Sequence, residues 1–344
     1  MYLGLGIRKG FFTHDYLTFA KQLGVTHIIV FRPGEELLPS TKDGYWSYED
    51  LYEMKKHAAE YGLTVGGIEN FVLKNWYQIV MKGPERERQM DCVKRTIANM
   101  GKAGIPVMGY NFSIAGVWGR IDGPNARGGA ISPRFAKEVS PDFDTPIPNG
   151  VFMNFVVDEN APKGFVQPVS QEEMWDRYAW FLNQIMPVAE EAGVAMAAHP
   201  EDPPVPKLRG IGRMLIHPDF YDRMFSLAPS KYNQVEFCQG TFAEMPGVDV
   251  YDTIEKFASQ QKIAYVHFRN VRGKYPDYIE EFVDEGETDM VKALKLYKKH
   301  NFNGVFMPDH TPAFTSCVES PYAATAHAIG YMKGIMQSLD CLSE

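Results

Sequence analysis

Eight short runs of β-branched and apolar residues, separated by stretches of helical periodicity, constrain this chain more than any other feature. They cover residues 3–7, 26–31, 63–69, 105–112, 194–199, 233–238, 263–268 and 304–309. Strands that alternate with helices build a parallel sheet covered by those helices. Eight of them in 344 residues fit a (β/α)8 TIM barrel better than a doubly wound sheet, whose strand count is lower. Residues 1–344 therefore read as a single barrel domain, longer than the roughly 250 residues typical of the fold. The excess falls in residues 113–169, which are rich in Gly, Pro and Asn and lack sustained periodicity. An insertion of that length after a strand is expected to be a lid or a subunit contact.

The intervening helices carry their own signals. Ser170 and Glu173 form a capping box, Met174, Tyr178, Phe181, Ile185 and Val188 follow as one apolar stripe, and Gly193 is the stop. Ser47 with Asp50 repeats the start signal. Between Arg86 and Lys102, Met90, Val93, Ile97 and Met100 form a buried stripe, with Cys92 a packed small residue on the same helix.

Composition excludes several classes of function. With 43 acidic against 35 basic residues the net charge is -8, so no basic field exists to hold a nucleic acid. No apolar run reaches the length of a membrane span, and the N-terminus lacks a signal-peptide pattern. The four cysteines (Cys92, Cys238, Cys317, Cys341) are widely spaced without a CxxC pair, which argues against a disulfide framework. A cytoplasmic protein is expected, with a small molecule as its partner and assembly as a homo-oligomer.

The residues that carry chemistry fall at strand ends. His199, Cys238, His267 and Asp309 close the last four predicted strands, and in a closed barrel such positions converge on one mouth. Two imidazoles, a thiolate and a carboxylate form a plausible shell for one divalent metal. Glu69 and Asn111 end the third and fourth strands and are candidate substrate contacts. Arg269 and Arg272 follow His267, and Arg120 lies in the insertion near Trp118 and Arg127. A guanidinium fork suits a substrate carboxylate. The histidines His14, His27, His57, His217 and His300 have ordinary structural readings.

These stretches also resemble the mannonate dehydratase family. The likeness runs from about Gly62 to Gly334 and rests on GPERERQMDCVKRTIANMGKAGIPVMGYNF from Gly83, AAHPEDPPVP from Ala197 and FCQG from Phe237. It continues with VHFRNVRG from Val266, DEGETDM from Asp284 and MPDH from Met307. The resemblance implies a metal-dependent barrel enzyme of hexuronate breakdown, with manganese or ferrous iron on His199, Cys238, His267 and Asp309. It also implies acid/base work by His310 together with a tyrosine, for which Tyr322 is the candidate. Three places depart from the family pattern: the first sixty residues, including Arg32-Pro33-Gly34, the run Ser113 to Arg120, and His327 where an arginine is common.

The expected activity is dehydration of an aldonic acid, D-mannonate to 2-keto-3-deoxy-D-gluconate. Loss of water across C2 and C3 needs a base for the C2 proton, an acid for the leaving C3 hydroxyl and a cation at the carboxylate. Manganese or iron suits a shell that opens to substrate, with zinc and cobalt as alternatives. A metal-dependent sugar isomerase or epimerase, and a non-catalytic sugar-acid binding protein, are the competing readings.

Overall fold

The eight apolar runs become eight parallel strands, each trimmed to its central residues. The structure, a computed structural model, describes residues 1–315 and 321–343, and Cys317 lies outside them. The strands are β1 (Tyr2–Ile7), β2 (His27–Phe31), β3 (Thr64–Glu69), β4 (Val107–Tyr110), β5 (Ala195–Ala198), β6 (Asn233–Cys238), β7 (Ile263–His267) and β8 (Val305–Met307). Neighbours follow chain order around the sheet, and β8 closes it on β1 with Tyr2 opposite Val305. This is the (β/α)8 barrel expected from the alternation, with every strand pointing the same way.

The helices start and stop where the sequence signals place them. Ser170 accepts a hydrogen bond from the Glu173 amide at 3.1 Å and opens Gln171–Ala192, and Gly193, at φ 69°, ends it. Such a cap is worth about 1 kcal/mol. Ser47 caps Tyr48–Glu60 in the same way. In Arg86–Ala103 the residues Met90, Val93, Ile97 and Met100 are all buried against the neighbouring helices and barrel wall.

Inside the barrel, Ile29, Ala197, Tyr265, Val305 and Met307 form an apolar plug. Above it toward the strand C-termini the lining becomes polar, with Glu69, Glu236 and His267 all buried. Gly109 on β4 makes room for this layer. A Cβ there would collide with the Tyr265 hydroxyl and stand 2.6 Å from Glu236 Oε2.

The insertion has regular structure that the sequence reading missed. Arg120–Gly123 and Ser132–Ala136 pair with each other, and Ser132–Ala136 pairs with Asp277–Glu281, which forms a hairpin with Asn270–Lys274 after β7. A second short hairpin joins Val151–Phe152 to Phe155–Val156. These strands are two to five residues long. Strands this short show little alternation, and Ser132–Ala136 finds its second partner, Asp277–Glu281, far away in sequence. Loops after β4 and β7 both leave the C-terminal end of the barrel, so the small sheet stands at the mouth. Among the described residues no helix is long and apolar enough to cross a membrane.

Candidate metal centre and active site

Two histidines at the mouth each have one nitrogen engaged and the other available. His199 lies one residue past β5, and its Nδ1 is 2.6 Å from the Pro200 carbonyl oxygen. A carbonyl can only accept, so Nδ1–H donates and Nε2 keeps its lone pair. His267 ends β7 with Nε2 3.1 Å from Glu69 Oε2, while its buried Nδ1 has no hydrogen-bond partner. A carboxylate holding one imidazole nitrogen is the usual device for orienting the other toward a metal.

Cys238 ends β6 and lies opposite His267 in the strand register. Donor atoms of His199, Cys238 and His267 all fall within 4.8 Å of one another. Asp309, two residues beyond β8, brings Oδ2 to 3.6 Å from His267 Nδ1. Burial pushes the Cys238 thiol up, but the Arg269 charge and the two imidazoles outweigh it and hold the thiol well below its ordinary range. Burial likewise raises the Asp309 carboxyl, and His310, His267 and Arg269 overcome that and keep it ionised. The orphaned imidazole nitrogens, the thiolate and the carboxylate fit a divalent cation.

Sequence reasoning missed Glu236. It is fully buried on β6, with Oε1 3.4 Å from His267 Nε2 and 4.0 Å from His199 Nε2. Burial and the Glu69 charge push its carboxyl up to about 8. With Glu69 and His267 it forms a second group of donors inside 4.8 Å. Strand alternation carries the signal: Glu236 is two residues before Cys238 and must share its face.

His310 should point away from the mouth if the strand stayed extended beyond Asp309. It instead adopts φ 47°, a left-handed turn that brings the ring back. Its Nδ1 is 3.0 Å from Glu280 Oε1 and 2.8 and 2.9 Å from Nη1 of Arg120 and Arg269. Nδ1 therefore has an acceptor when protonated and donors when not. Either tautomer is supported, and Nε2, 3.5 Å from Asp309 Oδ1, can take or give a proton.

The sequence reading assigned Arg120 and Arg269 to a substrate carboxylate, but the structure engages their Nη groups elsewhere. Arg120 pairs with Asp202 and, at 2.6 Å, with Glu280. Arg269, buried, pairs with Glu244 at 3.2 Å, Glu280 at 3.1 Å and Asp202 at 3.4 Å. Both side chains thus fix His310 and tie the insertion to the strand ends. Asp202 sits in the HPEDPP stretch beside His199, while Glu280 comes from a hairpin with no motif to announce it. Arg272 points outward and pairs with Glu281, and His327 pairs with Asp284.

Asn111 is buried one residue beyond β4, at the same end of the barrel. Tyr322 opens the last helix, Pro321–Ser338, with its ring edge-on to Phe19 at 4.8 Å and 5.8 Å from Tyr16. The structure places that ring in the packing between the first and last helices rather than among the strand-end donors.

Comparison with known proteins bears on this arrangement directly. The family model of D-mannonate dehydratase (UxuA) matches residues 15–344. The chain belongs to the D-mannonate dehydratase family. It is 31% identical over 278 residues to the mannonate dehydratase of Streptococcus pneumoniae (strain 70585), covering 77% of this chain and 74% of that one. A mannonate dehydratase structure from Streptococcus suis serotype2 superposes with a TM-score of 0.80 at 25% identity, over 100% of this chain and 97% of the other. An L-ribulose 3-epimerase shares the fold alone, with a TM-score of 0.59 at 13% identity over 98% of this chain and 95% of that one. The enzyme class expected from the sequence, a mannonate dehydratase-like hydro-lyase, therefore holds, and the match extends through the divergent insertion.

Proposed function

We propose that the chain dehydrates an aldonic acid, converting D-mannonate to 2-keto-3-deoxy-D-gluconate and water. The observation that carries this reading is the pairing of two half-free imidazoles and a thiolate with a histidine, His310, whose Nδ1 is served in both protonation states. His199, Cys238, His267 and Asp309 would hold one divalent ion, manganese or ferrous iron. When bound, that ion supplies positive charge against the carboxylate and fixes the geometry of the substrate oxygens.

His310 Nε2 then takes the C2 proton, while Glu280, held by Arg120 and Arg269, accepts from Nδ1–H and stabilises the charged ring. The C3–O bond breaks as the hydroxyl takes the proton gained by His310 Nε2 and leaves as water, and the enol that remains loses its O–H proton and takes a solvent proton at C3 to give the 2-keto acid. Glu69 keeps His267 oriented throughout. The small sheet of residues 120–136 and 270–281 serves as the lid that keeps bulk water from the mouth. The free cysteines Cys92, Cys238 and Cys341 suit a reducing cytoplasm, and D-mannonate as substrate would place the enzyme in hexuronate breakdown.

Incubation of the manganese-loaded protein with D-mannonate in heavy water tests the reaction. The expected product is an α-keto acid carrying solvent deuterium at C3. An isomerized sugar without α-keto acid would replace this reading by the isomerase one. Ligand-dependent stabilisation without any product would leave a binding protein.

A further inference from the structure

With Arg120 and Arg269 committed to Asp202, Glu244 and Glu280, a different guanidinium has to join the divalent ion if a side chain is to meet the anionic end of a sugar acid. Arg32 follows β2 directly. Its backbone is left-handed at φ 44°, an unusual state for a residue with a side chain, and its amide donates to the Glu69 carbonyl oxygen at 2.7 Å. The guanidinium lies 5.1 Å from the Phe31 ring centroid and 5.3 Å from that of Phe155, which the insertion's second hairpin lowers onto it. Its Nε is buried with no hydrogen-bond partner, and among the described residues no carboxylate forms an ion pair with it. Burial pushes this guanidinium down to about 10, with Glu69 pulling the other way, so it stays charged at neutral pH. A half-buried cation beside two rings, with its buried Nε unpartnered, is poised for an anion from outside.

The surroundings agree in sign. Arg8, one residue past β1, acts on Asp309. Between the loops after β1 and β2 lies a cavity of about 100 Å³, lined by Arg8, Lys9, Phe31, Pro33 and Glu36 among others. Glu36 is matched by Lys9 at 3.9 Å.

We propose that Arg32 receives the carboxylate of the substrate at the end of β2 and sets the preference for sugar acids over neutral sugars. The inference rests on the sugar-acid reading above. The two acceptors of a carboxylate match the guanidinium fork, whereas a neutral sugar would leave the buried donor unmatched.

The test titrates manganese-loaded protein with D-mannonate and with its neutral amide, D-mannonamide, by calorimetry. In Arg32→Gln the preference for acid over amide should fall by about 10- to 100-fold, with bound manganese unchanged. Arg32→Lys should restore part of it, because charge returns without the fork. An unchanged preference in Arg32→Gln, or equal weakening of both ligands, overturns the assignment. So does a wild-type protein that binds no aldonate. Wild-type binding of D-mannonate without keto-acid formation would defeat the dehydratase reading alone, since the acid-to-amide preference would still judge Arg32.

Discussion

The mouth of this barrel has two halves built in different ways. On the side of β5 to β8, His199, Cys238, His267 and Asp309 sit at or just past strand ends, and their positions follow from strand direction and register. Beyond Glu69 at the end of β3, the polar groups on the side of β1 to β3 and over the top come from left-handed turns and distant loops: Arg32 at φ 44°, Arg120 from the insertion, Glu280 from the hairpin after β7. The first half is a consequence of fold geometry. The second depends on tertiary contacts.

The largest expected effect breaks the first half. Cys238→Ala should lose most of its bound divalent ion and all measurable turnover, because a thiolate donor disappears from a group whose atoms lie within 4.8 Å. Elemental analysis reads this directly. Equal metal content in wild type and variant would remove Cys238 from the shell and leave Glu236 as the substitute donor.

His310→Asn separates chemistry from metal holding. Turnover should fall by about 10² to 10⁴ while metal content stays at the wild-type level. Metal lost in parallel with activity would make His310 a support for the ligands instead. A smaller change is expected for Glu69→Gln, which keeps the hydrogen bond to His267 Nε2 but removes its charge. Metal affinity should drop about 10- to 100-fold, measured by competition with a chelating dye. An unchanged affinity would mean that Glu236, 3.4 Å from the same nitrogen, orients His267 unaided.

These cases show what a sequence exposes. The barrel, its helix caps and the strand-end donors were legible because each rests on a local period or a local end signal, as with Ser170 and Gly193. Glu236 was legible too, had the alternation through Cys238 been followed inward. Arg120 was found as a candidate, but nothing near it in sequence announces its partners Asp202 and Glu280. The turn at His310 was anticipated only as a strand that was ending. The small sheet stayed hidden because Ser132–Ala136 finds one partner in Asp277–Glu281, which no local pattern can reveal. Tyr322 came from resemblance alone, and its ring packs on Phe19.

The smallest effect is a pair of opposed pH profiles in thermal stability. In metal-free protein burial lowers the His199 imidazole, but Glu236 and Cys238 outweigh it and raise it to about 9. A group raised on folding contributes stability that is fully present below its unfolded value, near 6.5, and is lost as pH climbs through the folded one. Metal-free Tm should therefore decline by a few degrees between about pH 6.5 and 9. Asp202 behaves in the opposite sense. Burial raises its carboxyl, but Arg120 and Arg269 hold it well below the usual range, so its contribution is intact above about pH 4 and lost under more acid conditions. Glu236, raised by burial and by the Glu69 charge, adds its own decline from its unfolded value near 4.5, so metal-free stability should pass through a maximum at about pH 4 to 5. Loading the metal reverses the alkaline limb, because ligands must shed protons to bind, so Tm of the manganese form should rise from about pH 6.5 to 9 while that of the metal-free form falls. Parallel alkaline limbs would take His199 out of the metal shell. A metal-free decline that begins on acidification between pH 7 and 5 would show that an imidazole, and not Asp202, governs acid stability.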